Sequence, residues 1–140
     1  MPVVAGVDES PTSDLVVAKA IAEAEWRGLP LHLVHVCRTP VAYADVPVDW
    51  AKIHEAERQA VWARVSASIG DAPVELKEVD LDGYPPDMLV AYARSQHAEL
   101  LVVGTRGRGD LASLIMGSTS HRALHLSECD VFVVKAADAN

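Results

Sequence analysis

The stretch VVAGVDESPTSDLVVAKAIAEAEWRGLPLHLVHV, residues 3–36, predicts a strand, a helix and a second strand in succession. The two short runs VVAGV and LHLVHV are rich in apolar and β-branched residues, as strands are. Between them, Ser10 is placed as the N-cap of the helix, Pro11 as its first residue and Gly28 as its stop. Because strands joined through a helix pair in parallel, this stretch predicts the βαβ unit of an α/β protein.

Three further apolar runs predict the remaining strands. They are VELKEVDL from Val74 to Leu81, LLVVG from Leu100 to Gly104, and VFVVK from Val131 to Lys135. The first, fourth and fifth strands of the chain are apolar throughout, which is typical of strands buried on both faces. The third alternates less cleanly and is expected at an edge of the sheet.

Helical patterns separate these strands. Residues 49–70, DWAKIHEAERQAVWARVSASIG, predict a helix whose buried stripe is Ile53, Ala56, Ala60 and Ala67. Residues 85–96, PPDMLVAYARSQ, predict another that buries Leu89 and Ala93. A last helix is expected to begin near Ser118.

The alternation of strands and helices continues over residues 1–140, without internal repeats or low-complexity segments. A chain of 140 residues, 50% hydrophobic and 23% charged, is long enough to close one core. The sequence therefore predicts a single doubly wound, Rossmann-like α/β domain with a five-stranded parallel sheet and helices on both faces.

The charge and composition of the chain limit the classes of partner and the location that can be expected. The net charge of −8 argues against duplex nucleic acid, because binding there depends on many Lys and Arg side chains meeting phosphates. No apolar run approaches the ~18 residues that span a bilayer, so no membrane association is expected. The two cysteines, Cys37 and Cys129, have no partner at metal-ligand spacing in the sequence and fit a reducing compartment. The expected location is the cytoplasm.

A glycine-rich stretch follows the fourth strand: GTRGRGDLASLIMGS, residues 104–118. Gly104 and Gly107 allow the backbone to turn sharply and to bring its N–H groups close to a bulky anion. Gly117 and Ser118 then begin a helix, whose unpaired N–H groups and positive dipole end form a second anion contact. Ligands of such sheets bind beyond the carboxyl ends of the strands. The stretch thus predicts a clamp for one polyphosphate.

The stretch resembles the Gly-x2-Gly-x9-Gly-Ser/Thr signature of ATP-binding universal stress proteins. The resemblance extends to VVAGVDES, LHLVHV, GYPPDMLVAYARSQHAELLVVG and VFVVK, and so to nearly the whole chain. It implies ATP, with or without Mg²⁺, as the cofactor. It also implies a nucleotide-dependent stress or signalling protein with slow or absent catalysis.

The resemblance also implies the site residues. Asp8, which ends the first strand, would hold the ribose hydroxyls, and the backbone near Val36 would meet the adenine edge. Gly104 would lie against the ribose, and Arg106 adds positive charge. The full predicted nucleotide-binding set is Val7, Asp8, Val36, Val103, Gly104, Arg106, Gly107, Gly117, Ser118 and Thr119. No residue is assigned a catalytic role.

Other functions stay open at this point. A weak ATPase or nucleotidyl transferase on the same scaffold would need a basic or histidine motif near the phosphates. The His-x-x-His pair of the sequence, His32 and His35, lies within the second strand and not in the glycine-rich stretch, and no His-x-Gly-His pair occurs. Two further alternatives are a family member that binds AMP or cyclic AMP and a family member that works only as an interaction module.

The histidines are interpreted as structural. His32 and His35 lie on the second strand, and neither has a second His or carboxylate at metal spacing, so packing or surface roles are expected. His121 and His125 are treated in the same way, although His121 and Arg122 stand near a helix start where a phosphate could approach.

The last strand predicts an assembly. It is followed by a short tail, and the resemblance places it at an edge of the sheet beside the fourth strand. An apolar edge from Val131 to Val134 presents unpaired backbone groups beside hydrophobic side chains. Pairing with the same strand of a second copy about a two-fold axis would cover it, so a homodimer is expected.

Overall fold

The computed structural model describes residues 1–38, 48–105 and 118–135. Within these ranges the chain forms five strands and four helices in strict alternation. In chain order they are β1 Val3–Val7, α1 Thr12–Arg27, β2 Leu31–Arg38, α2 Trp50–Ile69, β3 Leu76–Gly83, α3 Pro85–Ser95, β4 Leu100–Gly104, α4 Ser118–Leu126 and β5 Asp130–Val134.

All strand pairs of the sheet are parallel, in the order β3-β2-β1-β4-β5. Helices α1 and α2 cover one face, where Leu33 and Val61 belong to the same buried cluster. Helices α3 and α4 cover the other, where Leu89, Leu101 and Ala123 are packed together. The predicted doubly wound α/β architecture is confirmed.

The start of α1 differs from its prediction. The helix begins at Thr12, with Pro11 in the capping position and no side-chain cap. Ser10 is not the N-cap, because its hydroxyl makes no hydrogen bond within the described residues; only its carbonyl takes part in the turn, accepting from Ser13 N at 3.0 Å. The other end is as predicted: Gly28 stops the helix in the left-handed conformation, at φ 67°.

The buried stripe predicted for α2 is wrong. All four of its members are exposed, and Ile53 keeps 48% of its surface. Val61 and Val65 are the residues that α2 buries against the sheet. Two valines one turn apart remove more apolar area from water than alanines do, so they set the rotation of the helix.

The two edge strands are β3 and β5. β3 was predicted at an edge and lies there, but it runs from Leu76 to Gly83, two residues later than expected at both ends. β5 is also at an edge and therefore is not buried on both faces as its apolar run suggested. Of its five residues only Val134 is buried.

One cross-helix contact ties α1 to α2. Arg64 donates to both carboxylate oxygens of Asp14, at 3.1 and 3.0 Å, and Ser68 also donates to Asp14. The Arg64 guanidinium lowers the pKa of the Asp14 carboxyl. Among the helices of the described ranges, none has the length and apolar character needed to cross a membrane.

Candidate functional site

A crevice opens in the sheet where the direction of winding reverses. The chain runs from β1 outward through β2 to β3, and then crosses to β4 on the other side of β1. The pairing of β1 with β4 ends at Ala5 and Val102, although β1 continues beside β2 to Val7 and β4 continues beside β5 to Gly104. The last two residues of each central strand therefore separate from each other. In open α/β sheets, this switch point is where ligands bind.

Asp8 stands at the mouth of this crevice, directly after β1. Its carboxylate Oδ1 accepts from the Ser10 backbone N–H at 2.8 Å and from the Ser13 hydroxyl at 2.9 Å. The Asp8 backbone N–H in turn donates to Ser13 Oγ at 2.7 Å. This turn fixes the carboxylate beside the first turn of α1, where the helix dipole stabilises a negative charge.

The other predicted strand residues lie at the same edge of the sheet. Val7, Val36 and Val103 are buried at the carboxyl ends of β1, β2 and β4, so that they offer backbone rather than side-chain groups to the crevice. Gly104 ends β4 and is half-buried. The next residue, Thr105, remains tied to the sheet because its N–H donates to the Val134 carbonyl at 2.9 Å.

The N-terminus of α4 faces this edge too. Since β4 ends at the carboxyl edge and β5 begins at the opposite one, α4 must run back from the edge with its first residue, Ser118, on the crevice side. Thr119 is half-buried in this first turn. The predicted residues Arg106, Gly107 and Gly117 lie outside the described residues, as does the side chain of Ser118.

Arg122 is paired with a carboxylate of α3. Its Nε and Nη2 donate to Asp87 Oδ1 at 3.0 and 2.9 Å, and its guanidinium lies 5.8 Å from the ring centre of Tyr84. The contact joins α4 to α3. The ring of His121 packs against that of His125, with centres 4.7 Å apart.

The structure brings Cys37 and His35 close to a residue of α2 that the sequence did not link to them. Both lie in a polar cluster beneath α2, where one ligand atom each from His35, Cys37 and Glu57 falls within 4.8 Å of the others. The residues of this cluster come from two elements, so their spacing within either element alone could not reveal it. His35 and Cys37 share a face of β2, while His54 and Glu57 share a face of α2.

The chain is similar in sequence to known proteins. A model of the universal stress protein family matches residues 1–135. A curated universal stress protein of Mycobacterium tuberculosis (strain ATCC 25618 / H37Rv) is 35% identical over 141 residues, which cover 96% of this chain and 45% of that protein. The chain therefore spans about half the length of the curated relatives it matches.

Solved structures agree in fold. A universal stress protein from Archaeoglobus fulgidus in complex with dAMP is 26% identical, with a TM-score of 0.72 over 96% of this chain and 98% of that one. A universal stress protein in complex with cAMP is 24% identical, with a TM-score of 0.75 over 98% of both chains, a likeness that concerns the fold alone. By sequence and by fold, the chain belongs to the universal stress protein family.

Proposed function

We propose that the chain binds an adenine nucleotide, ATP first among them, in the crevice between β1 and β4. The observation that carries this proposal is the separation of the two central strands at the switch point, with the Asp8 carboxylate fixed at its mouth. A related protein of Archaeoglobus fulgidus is known in complex with dAMP, which supports adenine as the base. The glycine spacing of residues 104–118 supports a polyphosphate, with or without Mg²⁺.

Each end of the nucleotide has its own part of the site. Asp8 binds the ribose hydroxyls, with Gly104 and the buried backbone of Val7 and Val103 beside the sugar. The backbone of Val36 meets the adenine edge. The phosphates lie at the N-terminus of α4, whose dipole favours negative charge, against Arg106, Gly107, Gly117, Ser118 and Thr119.

Binding without efficient turnover is the role that these groups favour. Phosphoryl transfer needs a positioned base and, in most enzymes, carboxylates that hold a metal ion by the phosphates. The Asp8 Oδ1 atom is engaged by Ser10 and Ser13. We therefore propose a nucleotide-dependent stress-response or signalling protein of the cytoplasm, in which the bound nucleotide stabilises one conformation or assembly.

The assembly we propose is a homodimer through β5. Thr105 N–H donates to the Val134 carbonyl, so the backbone groups of Val134 face β4. Since the N–H and C=O of one strand residue point to the same side and alternate along the strand, those of Val133 and Val131 face outward. Within the described residues, no strand pairs with this outer edge. A second β5 about a two-fold axis would continue the sheet across the interface.

Mass spectrometry of the small molecules released on denaturing the purified protein tests the nucleotide and its identity together. We expect ATP, and saturating ATP added to the nucleotide-stripped protein should raise the free energy of unfolding by about 2.7 kcal/mol at a hundred times its dissociation constant. Release of AMP or cyclic AMP instead of ATP would favour a protein that binds that nucleotide. Sustained turnover that a single carboxylate substitution abolishes would favour an enzyme, and no nucleotide together with no stabilisation would contradict the proposal.

A further inference from the structure

A buried polar cluster lies beneath α2, at the carboxyl halves of β2 and β3. His35 and Cys37 are two residues apart on β2 and so project from the same face of the sheet. The side chain of His35 is 3% exposed, and Cys37 is fully buried. On the same face of β2, Leu31 and Leu33 are apolar. The burial of an imidazole and a thiol beside them therefore needs an explanation.

Helix α2 places two more ligand-type side chains over them. His54 and Glu57 are three residues apart and therefore share one face of the helix. His35 Nε2 lies 3.5 Å from Glu57 Oε2. One ligand atom from each of His35, Cys37 and Glu57 lies within 4.8 Å of the other two, and the same holds for Cys37, His54 and Asp82. The two trios share the Cys37 sulfur.

An outer partner lies beside the His35 imidazole. Asp80, the register partner of His35 on β3, has its Oδ1 3.3 Å from His35 Nδ1. Trp62 Nε1 donates to both oxygens of Asp80, at 3.1 and 3.0 Å. Nδ1 of His35 thus lies against Asp80 and is 3.9 Å from the Cys37 sulfur, while Nε2 faces Glu57. A carboxylate beside a histidine ring is a common outer partner at metal sites. Asp82 Oδ1 lies 3.9 Å from His54 Nδ1, beyond hydrogen-bond distance.

The charges of the cluster favour a cation. The Cys37 sulfur is fully buried, so a thiolate there is unfavourable unless a positive charge lies beside it. Three carboxylates, those of Glu57, Asp80 and Asp82, surround the site. Arg58 approaches them from the solvent side, 3.2 Å from Asp82 and 3.9 Å from Asp80. A divalent cation among the ligands would reverse the penalty on the thiolate.

We propose that His35, Cys37, Glu57 and His54 bind a Zn²⁺-type transition-metal ion that fastens α2 to the β2–β3 edge of the sheet. Sulfur, two imidazoles and a carboxylate form a ligand set that suits four-coordinate Zn²⁺, whereas Mg²⁺ and Ca²⁺ take oxygen ligands. His54 is chosen over Asp82 as the fourth ligand because its side chain is 18% exposed against 64%. On binding, a Zn–S bond forms and the thiol proton leaves to solvent.

This site shares β2 with the proposed nucleotide site, because Val36 lies between His35 and Cys37. The side chains of His35 and Cys37 project toward α2, whereas that of Val36 packs on the opposite face of the sheet. The strand ligands of the metal site come from β2, with β3 behind them, and its helix ligands come from α2. The crevice lies between β1 and β4. The two proposals can therefore fail independently.

Titration of the chelator-treated full chain with Co²⁺ and Zn²⁺ tests the site. We expect one ion per chain, a thiolate-to-cobalt charge-transfer band, and the visible bands of tetrahedral cobalt. Cys37→Ser and Glu57→Gln should each weaken Zn²⁺ binding, measured against a chromophoric chelator, by more than about 100-fold. Asp80→Asn, which loses only an outer partner, should weaken it by about 10- to 100-fold.

Matched controls use the second cysteine and the neighbouring histidine. Cys129→Ser, in a half-buried residue outside the cluster, and His32→Gln, on β2 but bonded to Tyr92, should bind Zn²⁺ as the wild type does. ATP binding should be unchanged in all variants. Because the chain has two cysteines, Cys37 is the sole thiol of the Cys129→Ser protein. A cobalt charge-transfer band in that protein therefore shows that Cys37 binds the ion, even if Cys37→Ser fails to fold.

Three results would overturn the site. They are no stoichiometric ion in the wild type, a cobalt–thiolate band that disappears in Cys129→Ser, and an affinity for Zn²⁺ that Cys37→Ser leaves unchanged in a folded protein. Any of them would leave His35, Asp80 and Trp62 as a hydrogen-bonded network that serves packing alone.

Discussion

Replacing Asp8 by asparagine is expected to lower the affinity for ATP by about 10- to 150-fold. The substitution keeps an oxygen that can accept from the Ser10 N–H, so the turn after β1 should persist. What it removes is the negative charge toward the ribose hydroxyls, and a hydrogen bond to a charged group contributes roughly 1.5–3 kcal/mol. Isothermal titration calorimetry on nucleotide-stripped protein measures the change directly.

Asp14→Asn is the matched control for this experiment. Asp14 is also an aspartate near the start of α1, but it bonds Arg64 and Ser68 and faces α2 rather than the crevice. It should bind ATP with wild-type affinity. If Asp8→Asn and Asp14→Asn bind ATP equally well, Asp8 is not a nucleotide ligand and the assignment of the ribose to it is wrong.

Replacing Val133 by proline is expected to raise the dissociation constant of the homodimer by about 5- to 150-fold. The outward-facing N–H of Val133 would be lost in both copies, and each hydrogen bond contributes about 0.5–1.5 kcal/mol. The Val134 groups that pair with β4 are untouched, so the domain itself should stay folded. Sedimentation or light scattering over a range of concentrations gives the constant.

A proline on the opposite edge of the sheet controls for the substitution itself. Glu75 directs its carbonyl to Leu31 N on β2, so the alternation of β3 turns the backbone groups of Glu78 outward. Glu78→Pro therefore removes an equivalent N–H far from β5 and should leave the dimer intact. A wild type that is monomeric at tens of micromolar, or equal dimer constants for the two proline variants, would rule out the β5 interface.

The sequence predicted the fold well because its signals were local. The β-branched runs at Val3–Val7 and Leu100–Gly104 and the stop at Gly28 each depend on a few neighbouring residues, and each is confirmed. The stripe of α2 failed because alanines fit a buried and an exposed face alike, and tertiary packing of Val61 and Val65 decided between them.

From the sequence, the candidate sites could be predicted only where they depend on the order of the strands. Asp8 and Gly104 could be predicted to share one edge of the sheet, because ligands bind at the carboxyl ends of the strands where the strand order reverses. The structure places both residues at this edge. The cluster of His35, Cys37 and Glu57 needs the docking of α2 onto β2, which no spacing within one element reveals. The phosphate clamp through Gly107 and Gly117 stays a prediction.

Amide chemical-shift mapping of ¹⁵N-labelled protein on addition of ATP tests the central claim most directly. If the nucleotide binds between β1 and β4, the largest shifts will fall on Asp8, Val36, Gly104 and Thr119, while β3 amides such as Glu78 will hardly move. Shifts confined to the β5 edge or to α2, or no shifts at millimolar ATP, would contradict nucleotide binding in the crevice.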